Sequence, residues 1–338
     1  MNATTTTTTA ADTDALPVVD LSRAGEPGFR DHLLRAAHEV GFFYLTGTGI
    51  PQETFDELFA LAEEFFALPD DAKKKVENLA SPHFRGWTRH GGEYTNGEID
   101  WREQIDIGID LDPIPVEDIR HDYEILIGPN LWPEELPRFR EAIITYRERL
   151  HDVARSLLHE WLAALGQDPG ALDDAFADPD TLIKVIRYPG RSEDEGRQGV
   201  GAHKDSGILT LLLLAPGSTG LQVKTDSGWR DVPPREGSLV VNIGEMLELV
   251  TDGYLKATVH RVLSPEPGTT RLSIPLFFNP NYSATLERLP LPAELAREAT
   301  GYRSTDDDVL HRTYGKNTLK FRVRSYPDVT AKHHPHLL

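Results

Sequence analysis

An α+β fold, a helical N-terminal half feeding a β barrel, is predicted for this 338-residue chain. Three features predict it. Apolar residues recur at helical spacing between Phe29 and Leu68, and again between Pro133 and Leu165. From Leu182 onward they gather instead into short β-type runs: "LIKVIRYPG", "GILTLLLL", "GLQVKTDSGWRDVPP", "GSLVVNIGEML", "ATVHRVLSP" and "TRLSIPLFFNP". Gly, Pro and Asp-Ser-Gly turns part them, the pattern of an antiparallel sandwich or barrel. The apolar and charged fractions, 39% and 26%, are those of a globular protein with ample core.

The elements follow in order. Residues 1–14 form a polar, threonine-rich tract that reads as a disordered leader, without the charged start and apolar middle of a signal peptide. "LPVVDLS" opens the ordered chain with a short β run. A helical segment from Phe29 to Val40 stops at Gly41, and Phe42 to Leu45 read as a buried strand. Pro51 starts an amphipathic helix with Phe55, Leu58, Phe59, Ala62 and Phe65 on one side, closed at Leu68-Pro69. Residues 80–110 lose periodicity and are dense in Gly, Trp, Tyr, Arg and His, as functional loops are. The next helix carries Phe139, Ile143, Tyr146, Leu150, Val153, Leu157 and Trp161 as one stripe, with Pro137 marking its start. Asp306 to Asp328 reads as helical or irregular, and the closing "HHPH" as a solvated tail. The division expected is a leader (1–14), a helical region (15–175) and a barrel with C-terminal extension (176–338).

Composition narrows the function. A formal charge of −19 repels phosphate backbones and anionic membranes, so neither nucleic acid nor membrane is expected as a partner. The chain has no cysteine, which removes disulfides, thiolate catalysis and iron–sulfur clusters and fits a cytoplasmic setting. Any metal must be held by His, Asp, Glu or backbone oxygen.

"GVGAHKDSGILTLLLL" places His203 and Asp205 two apart at a strand end, where a strand would project both from one face. His260, on a later β run, supplies a third ligand if the barrel brings the runs together. Two imidazoles and one carboxylate leave open positions on the ion, which suits non-haem Fe(II), although zinc accepts the same set. Arg271 and Ser273 again stand two apart on a strand. A buried guanidinium needs an anion, and beside a hydroxyl it makes a carboxylate clamp to which Tyr188 can add a second hydroxyl.

His203-Lys-Asp205, His260 and Arg271-Leu-Ser273, with "GWRDVPPREGSLVVNIGEMLELVTDGYLKATVHRV" between them, resemble the Fe(II)/2-oxoglutarate-dependent oxygenases of the isopenicillin N synthase-like branch. "LPVVDLS", "GFFYLTGTGI" and "YGKNTLKFRVRSYPDV" extend the likeness from Leu16 to Asp328. Gly47-Thr48-Gly49 stands where the family often has Asn-His-Gly, and Ile186 where it often has Asn. The resemblance implies a double-stranded β-helix, the jelly-roll barrel, flanked by N-terminal and central helices. It implies iron on His203, Asp205 and His260, with 2-oxoglutarate on Arg271 and Ser273 assisted by Tyr188. The implied reaction takes 2-oxoglutarate and O2 as co-substrates, oxidises a C–H bond of a small molecule and releases succinate and CO2, in specialised metabolism. By analogy the 80–110 segment borders the substrate, which makes Phe84, Arg85, Trp87, Glu93 and Thr95 its expected contacts. Glu93 would favour a cationic substrate and Arg85 a carboxylate. Two other readings stay open: an Fe(II) oxidase that does not use 2-oxoglutarate, and an inactive binding protein on the same barrel.

Overall fold

In the computed structural model, which describes residues 16–302 and 309–338, the chain opens with β1 (Val18–Asp20), paired in parallel with β2 (Phe42–Thr46). The leader expected over 1–14 lies outside the described residues, as do 306–308. Between β1 and β2 runs α1 (Phe29–Arg35), prolonged by a π-turn and ended at Gly41. Then come α2 (Gln52–Ala67), α3 (Asp70–Lys74), β3 (Gly86–Thr88), the hairpin of β4 (Tyr94–Thr95) and β5 (Glu98–Ile99), β6 (Glu103–Ile107) and the long α4 (Pro137–Ala164). The second half holds β7 (Asp180–Pro189), β8 (Gln198–His203), β9 (Leu209–Leu214), β10 (Leu221–Thr225), β11 (Gly228–Asp231) and β12 (Leu239–Ile243). It continues with α5 (Glu245–Val250), β13 (His260–Leu263), β14 (Thr270–Asn279), α6 (Ala293–Ala296), α7 (Tyr314–Ser325) and α8 (Pro327–His333).

Strands β7 to β14 divide between two sheets. The larger sheet is ordered β1-β2-β12-β9-β14-β7-β6-β3 and the smaller β11-β10-β13-β8. Four strands of the second half sit in each, all paired antiparallel, which is a double-stranded β-helix. The N-terminal half covers the outer face of the large sheet. The apolar stripes of α1, α2 and α4 join one buried cluster with Leu209, Leu211, Leu213, Leu239, Val241, Leu272, Ile274 and Leu276. Leu212, Leu214, Val240, Ile186 and Tyr188 alternate with these and point into the barrel. Buried on both faces, β9 reads as a continuous apolar run without alternation.

Two expectations need correction. The 80–110 segment is not an irregular loop: β3 and β6 lengthen the large sheet beyond β7. All five residues of β6, "EQIDI", are buried, so its alternation separates two covered faces instead of core from solvent. Of the terminal histidines expected to be a solvated tail, only His336 is exposed. His333 and His334 bond through Nε2 to the carbonyls of Leu79 and Pro82, and His334 is buried.

Candidate active site

The site forms where β8 meets β13. His203 ends β8 directly opposite His260, and between His260 and Val262 the register slips so that Gly201 and Ala202 face Arg261 alone. Such a bulge re-aims side chains at a sheet's rim. The two imidazole centroids lie 4.3 Å apart. Asp205 is beyond the strand, so the two-apart rule is not what brings it here. The loop after His203 folds back onto α5: Glu245 N–H donates to Asp205 O at 2.8 Å and Met246 N–H to Gly207 O at 3.0 Å. Gly207 has no room for a side chain, since a Cβ would stand 1.8 Å from Asn279 Oδ1, and Gly244 packs as closely against Gly207.

Each ligand atom is oriented by its other polar atom. His203 Nδ1 bonds Gly201 O at 2.8 Å and His260 Nδ1 bonds Thr258 O at 3.1 Å, which leaves both Nε2 lone pairs free. Asp205 Oδ2 accepts from the Thr210 hydroxyl and from Asn242 Nδ2. Its Oδ1 then faces His203 Nε2 at 3.5 Å and His260 Nε2 at 3.7 Å. Ligand atoms of the three residues all lie within 4.8 Å of one another. Phe42 sets its ring at 62° to His260 with 5.1 Å between centroids, limiting rotation. Burial, with His203 adding to it, pushes the His260 pKa down to about 4, so this imidazole is neutral at pH 7. Burial opposes ionisation of Asp205, yet the two imidazoles and Thr210 hold its carboxyl far below the usual range. An anionic carboxylate and a neutral imidazole converging on one point make a cation site.

The clamp residues share the barrel interior with the triad. Arg271 and Ser273 project inward from β14, Nη1 donating to Ser273 Oγ at 2.8 Å, and the guanidinium lies 4.5 Å from the Tyr188 ring. Arg271 is 1% exposed, and among the described residues it has no ion pair. Its Nε has no partner. Burial pushes its pKa down, the sign of a cation short of counter-charge. One cavity touches Arg271, Ser273, Tyr188, His203, Asp205 and His260 together. Thus the residues fit an anion and a metal ion in one continuous space.

The five expected substrate contacts are elsewhere. Phe84 packs with Tyr123, Leu126, Tyr326 and Val329, in a separate cluster. Arg85 donates to Leu126 O and to the Tyr282 hydroxyl, facing a different cavity. Trp87 lies in the helix-side core, with Nε1 donating to Glu103. Thr95 donates to Asp100, which accepts from Gly201 N–H and so props the bulge under His203. Glu93 is 2% exposed and bound to Arg102 and Lys184. None of the five borders the cavities that hold the triad. The residues that do border them, and that were missed, include Thr210, Asn242, Arg102, Lys184 and Arg322. A lysine inside the apolar run "LIKVIRY" is a signal that could have found Lys184.

Fold and site together define a non-haem iron oxygenase, and comparison with known proteins agrees. Residues 16–135 match the family described as non-haem dioxygenase in morphine synthesis N-terminal, and residues 179–280 match the 2OG-Fe(II) oxygenase superfamily. A 2-oxoglutarate-dependent dioxygenase, frbJ, of Dothideomycetidae sp. is 37% identical over 340 residues, covering 94% of this chain and 92% of its own. A homoarginine-6-hydroxylase of Arabidopsis thaliana is 32% identical over 301 residues, covering 83% of this chain and 90% of its own. Among solved structures, a full-length Neurospora crassa protein in complex with alpha-KG and thymine superposes with a TM-score of 0.73 at 25% identity, covering 92% of this chain and 98% of that one. The chain belongs to the Fe(II)/2-oxoglutarate-dependent oxygenases of the isopenicillin N synthase-like superfamily. It is an oxidoreductase of hydroxylation type that uses Fe(II), 2-oxoglutarate and O2 on a small molecule.

Proposed function

We propose that His203, Asp205 and His260 hold the iron, and that Arg271 and Ser273, with Tyr188 beside them, hold the far carboxylate of 2-oxoglutarate. The observation that carries this is the lone, buried Arg271 guanidinium in the same cavity as three converging ligand atoms. Bound there, ferrous iron supplies the activation of O2, coupled to decarboxylation of 2-oxoglutarate to succinate and CO2. This chain's part is placement. Gly201 O and Thr258 O fix the imidazole tautomers, Thr210 and Asn242 commit Asp205 to one oxygen, and Phe42, Ile186, Leu212 and Val262 give the cavity its apolar lining.

The prime substrate enters from the His203 side, where a second cavity borders His203 and Asp205. Homoarginine and thymine, from the names given to the relatives, are the first compounds to assay. The charge of −19 supports a small-molecule partner over nucleic acid or an anionic membrane. Among the described residues no helix is long and apolar enough to cross a membrane. A cytoplasmic location accords with the cysteine-free composition.

Turnover of 2-oxoglutarate tests the assignment against the oxidase alternative. With Fe(II) and O2, the purified chain should release succinate and CO2 in equal amounts. Oxygen consumption that proceeds undiminished without 2-oxoglutarate would favour an oxidase on this scaffold.

A further inference from the structure

We propose that the substrate oxidised here is an organic anion, its carboxylate read by a cationic wall of Arg102, Lys184 and Arg322 beside the metal site. This rests on the oxygenase reading above and adds the charge class of the substrate.

The wall consists of buried cations that face a cavity while their counter-charges do not. Arg102, Lys184 and Arg322 are 8%, 3% and 4% exposed, and all three border the cavity that touches His203 and Asp205. Arg102 Nη2 lies 2.7 Å from Glu93 and 3.4 Å from Asp100. Lys184 Nζ lies 3.0 Å from Glu93 and 3.2 Å from Asp106, and Arg322 Nη1 lies 2.6 Å from Asp106. Three carboxylates therefore balance three cations, which is what lets the cations stay charged when buried. Yet Glu93, Asp100 and Asp106 do not border that cavity. The cavity is bordered by four Lys and Arg side chains against two carboxylates, Asp180 and Asp205.

Arg102 keeps donors for a ligand, whereas Lys184, which also donates to the Tyr326 hydroxyl at 2.7 Å, adds charge alone. Arg102 Nε is buried without a partner, and its Nη1 reaches only the Tyr188 hydroxyl, at 3.4 Å. An unpaired buried N–H is costly, and an incoming carboxylate relieves it. Arg102 also borders the inner cavity with Arg271, so it stands at the junction of the co-substrate and substrate spaces.

The acids on the cavity already have donors of their own. Of the two acids on the outer cavity, Asp205 is turned to the imidazoles and held by Thr210 and Asn242. Asp180 accepts from the Tyr282 hydroxyl on one oxygen and the Tyr314 hydroxyl on the other, both at 2.8 Å. The remaining cation there, Lys204, is tied to Glu248 at 2.7 Å. Leu182, Phe277 and Phe321 give the cavity an apolar side, beside the polar Ser206, Asn279 and Thr318, so a body with an apolar part behind the carboxylate fits it.

The test uses matched triples of carboxylate, primary amide and primary amine on phenylpropyl, indolylpropyl and hexyl bodies. Each is titrated anaerobically into enzyme saturated with Fe(II) and 2-oxoglutarate, and binding is read by calorimetry and by the metal-centred absorption. Saturating 2-oxoglutarate occupies the Arg271 clamp, so a carboxylate cannot score by binding there. The carboxylate is expected to lead every triple in which binding is detected, by about tenfold or more. Arg322→Gln should erase that lead while 2-oxoglutarate affinity stays within about twofold. Arg322→Lys should keep most of it, and serves if the glutamine variant does not fold. An amide or amine that matches the carboxylate, a set in which no carboxylate binds, or a lead unchanged in either Arg322→Gln or Arg102→Gln overturns the proposal. Failure of the underlying oxygenase reading shows separately, as no binding of 2-oxoglutarate in the loading step.

Discussion

Asn242 spends its side-chain amide on the one Asp205 oxygen that does not face the imidazoles, and Thr210 spends its hydroxyl on the same atom. Without that pair the carboxylate can rotate, and a ligand that rotates binds a metal less well. Asn242→Ala is expected to weaken Fe(II) binding roughly 10- to 100-fold with the fold intact, measured by anaerobic metal titration and circular dichroism. Unchanged affinity would mean that Asp205 is fixed by its loop alone. At this scale the sequence was readable where chemistry and spacing coincide: His203, Asp205, His260, Arg271, Ser273 and Tyr188 all reach one cavity. Thr210 and Asn242 were not readable, since a Thr in "LTLLLL" and an Asn in "LVVNI" look like polar interruptions of a strand until the barrel closes.

Elements place these side chains, and two of them make exact demands on single residues. The loop between β8 and β9 must pass close to both α5 and Asn279, which leaves no room for a Cβ on Gly207. Gly207→Ala should push the loop outward, carry Asp205 with it and weaken iron binding on the order of tenfold or more, with little change in secondary structure. Strand β6, held between β7 and β3, depends on Glu103, which is fully buried and accepts from Trp87, pairs with Arg187 and lies 3.3 Å from both Lys73 and His90. Burial would raise its pKa, but His90, Arg187 and Trp87 together bring it down to about 2. A depressed carboxyl stabilises the fold above its unfolded value and loses that contribution as pH falls through the folded one. The Glu103→Gln variant is therefore expected to be less stable by about 3 kcal/mol near pH 7 and by only about 1 kcal/mol near pH 3, read from denaturant midpoints. A deficit that does not shrink with acid would locate the effect in packing. β6 escaped the sequence reading for the same reason it is stable. Its polar residues are buried and paired, so the alternation of "EQIDI" does not separate core from solvent, and five residues do not stand out from the aperiodic segment around them.

Across the whole molecule, the helical half was legible because its apolar stripes recur at helical spacing, and the barrel because Gly, Pro and Asp-Ser-Gly turns part its short apolar runs. The alternation of β7 to β14 between two sheets came from family resemblance, since runs of similar length and composition carry no record of which partner they take. The same limit explains why none of the five expected contacts borders the cavities at the triad. Lys184, Arg102 and Arg322 lie far apart in sequence, and only the sheet order together with α7 brings them to one side of the metal site.

What the architecture accomplishes is to hold three ligand atoms and a guanidinium in a shared interior, and an anaerobic titration of 2-oxoglutarate into Fe(II)-loaded protein tests this most directly. One co-substrate should bind per chain. Arg271→Ala should weaken it on the order of 100-fold while Fe(II) binding stays within a few-fold, and His203→Ala should abolish iron-dependent binding. Equal loss of iron and 2-oxoglutarate in Arg271→Ala, or unaltered 2-oxoglutarate affinity, would contradict the assignment.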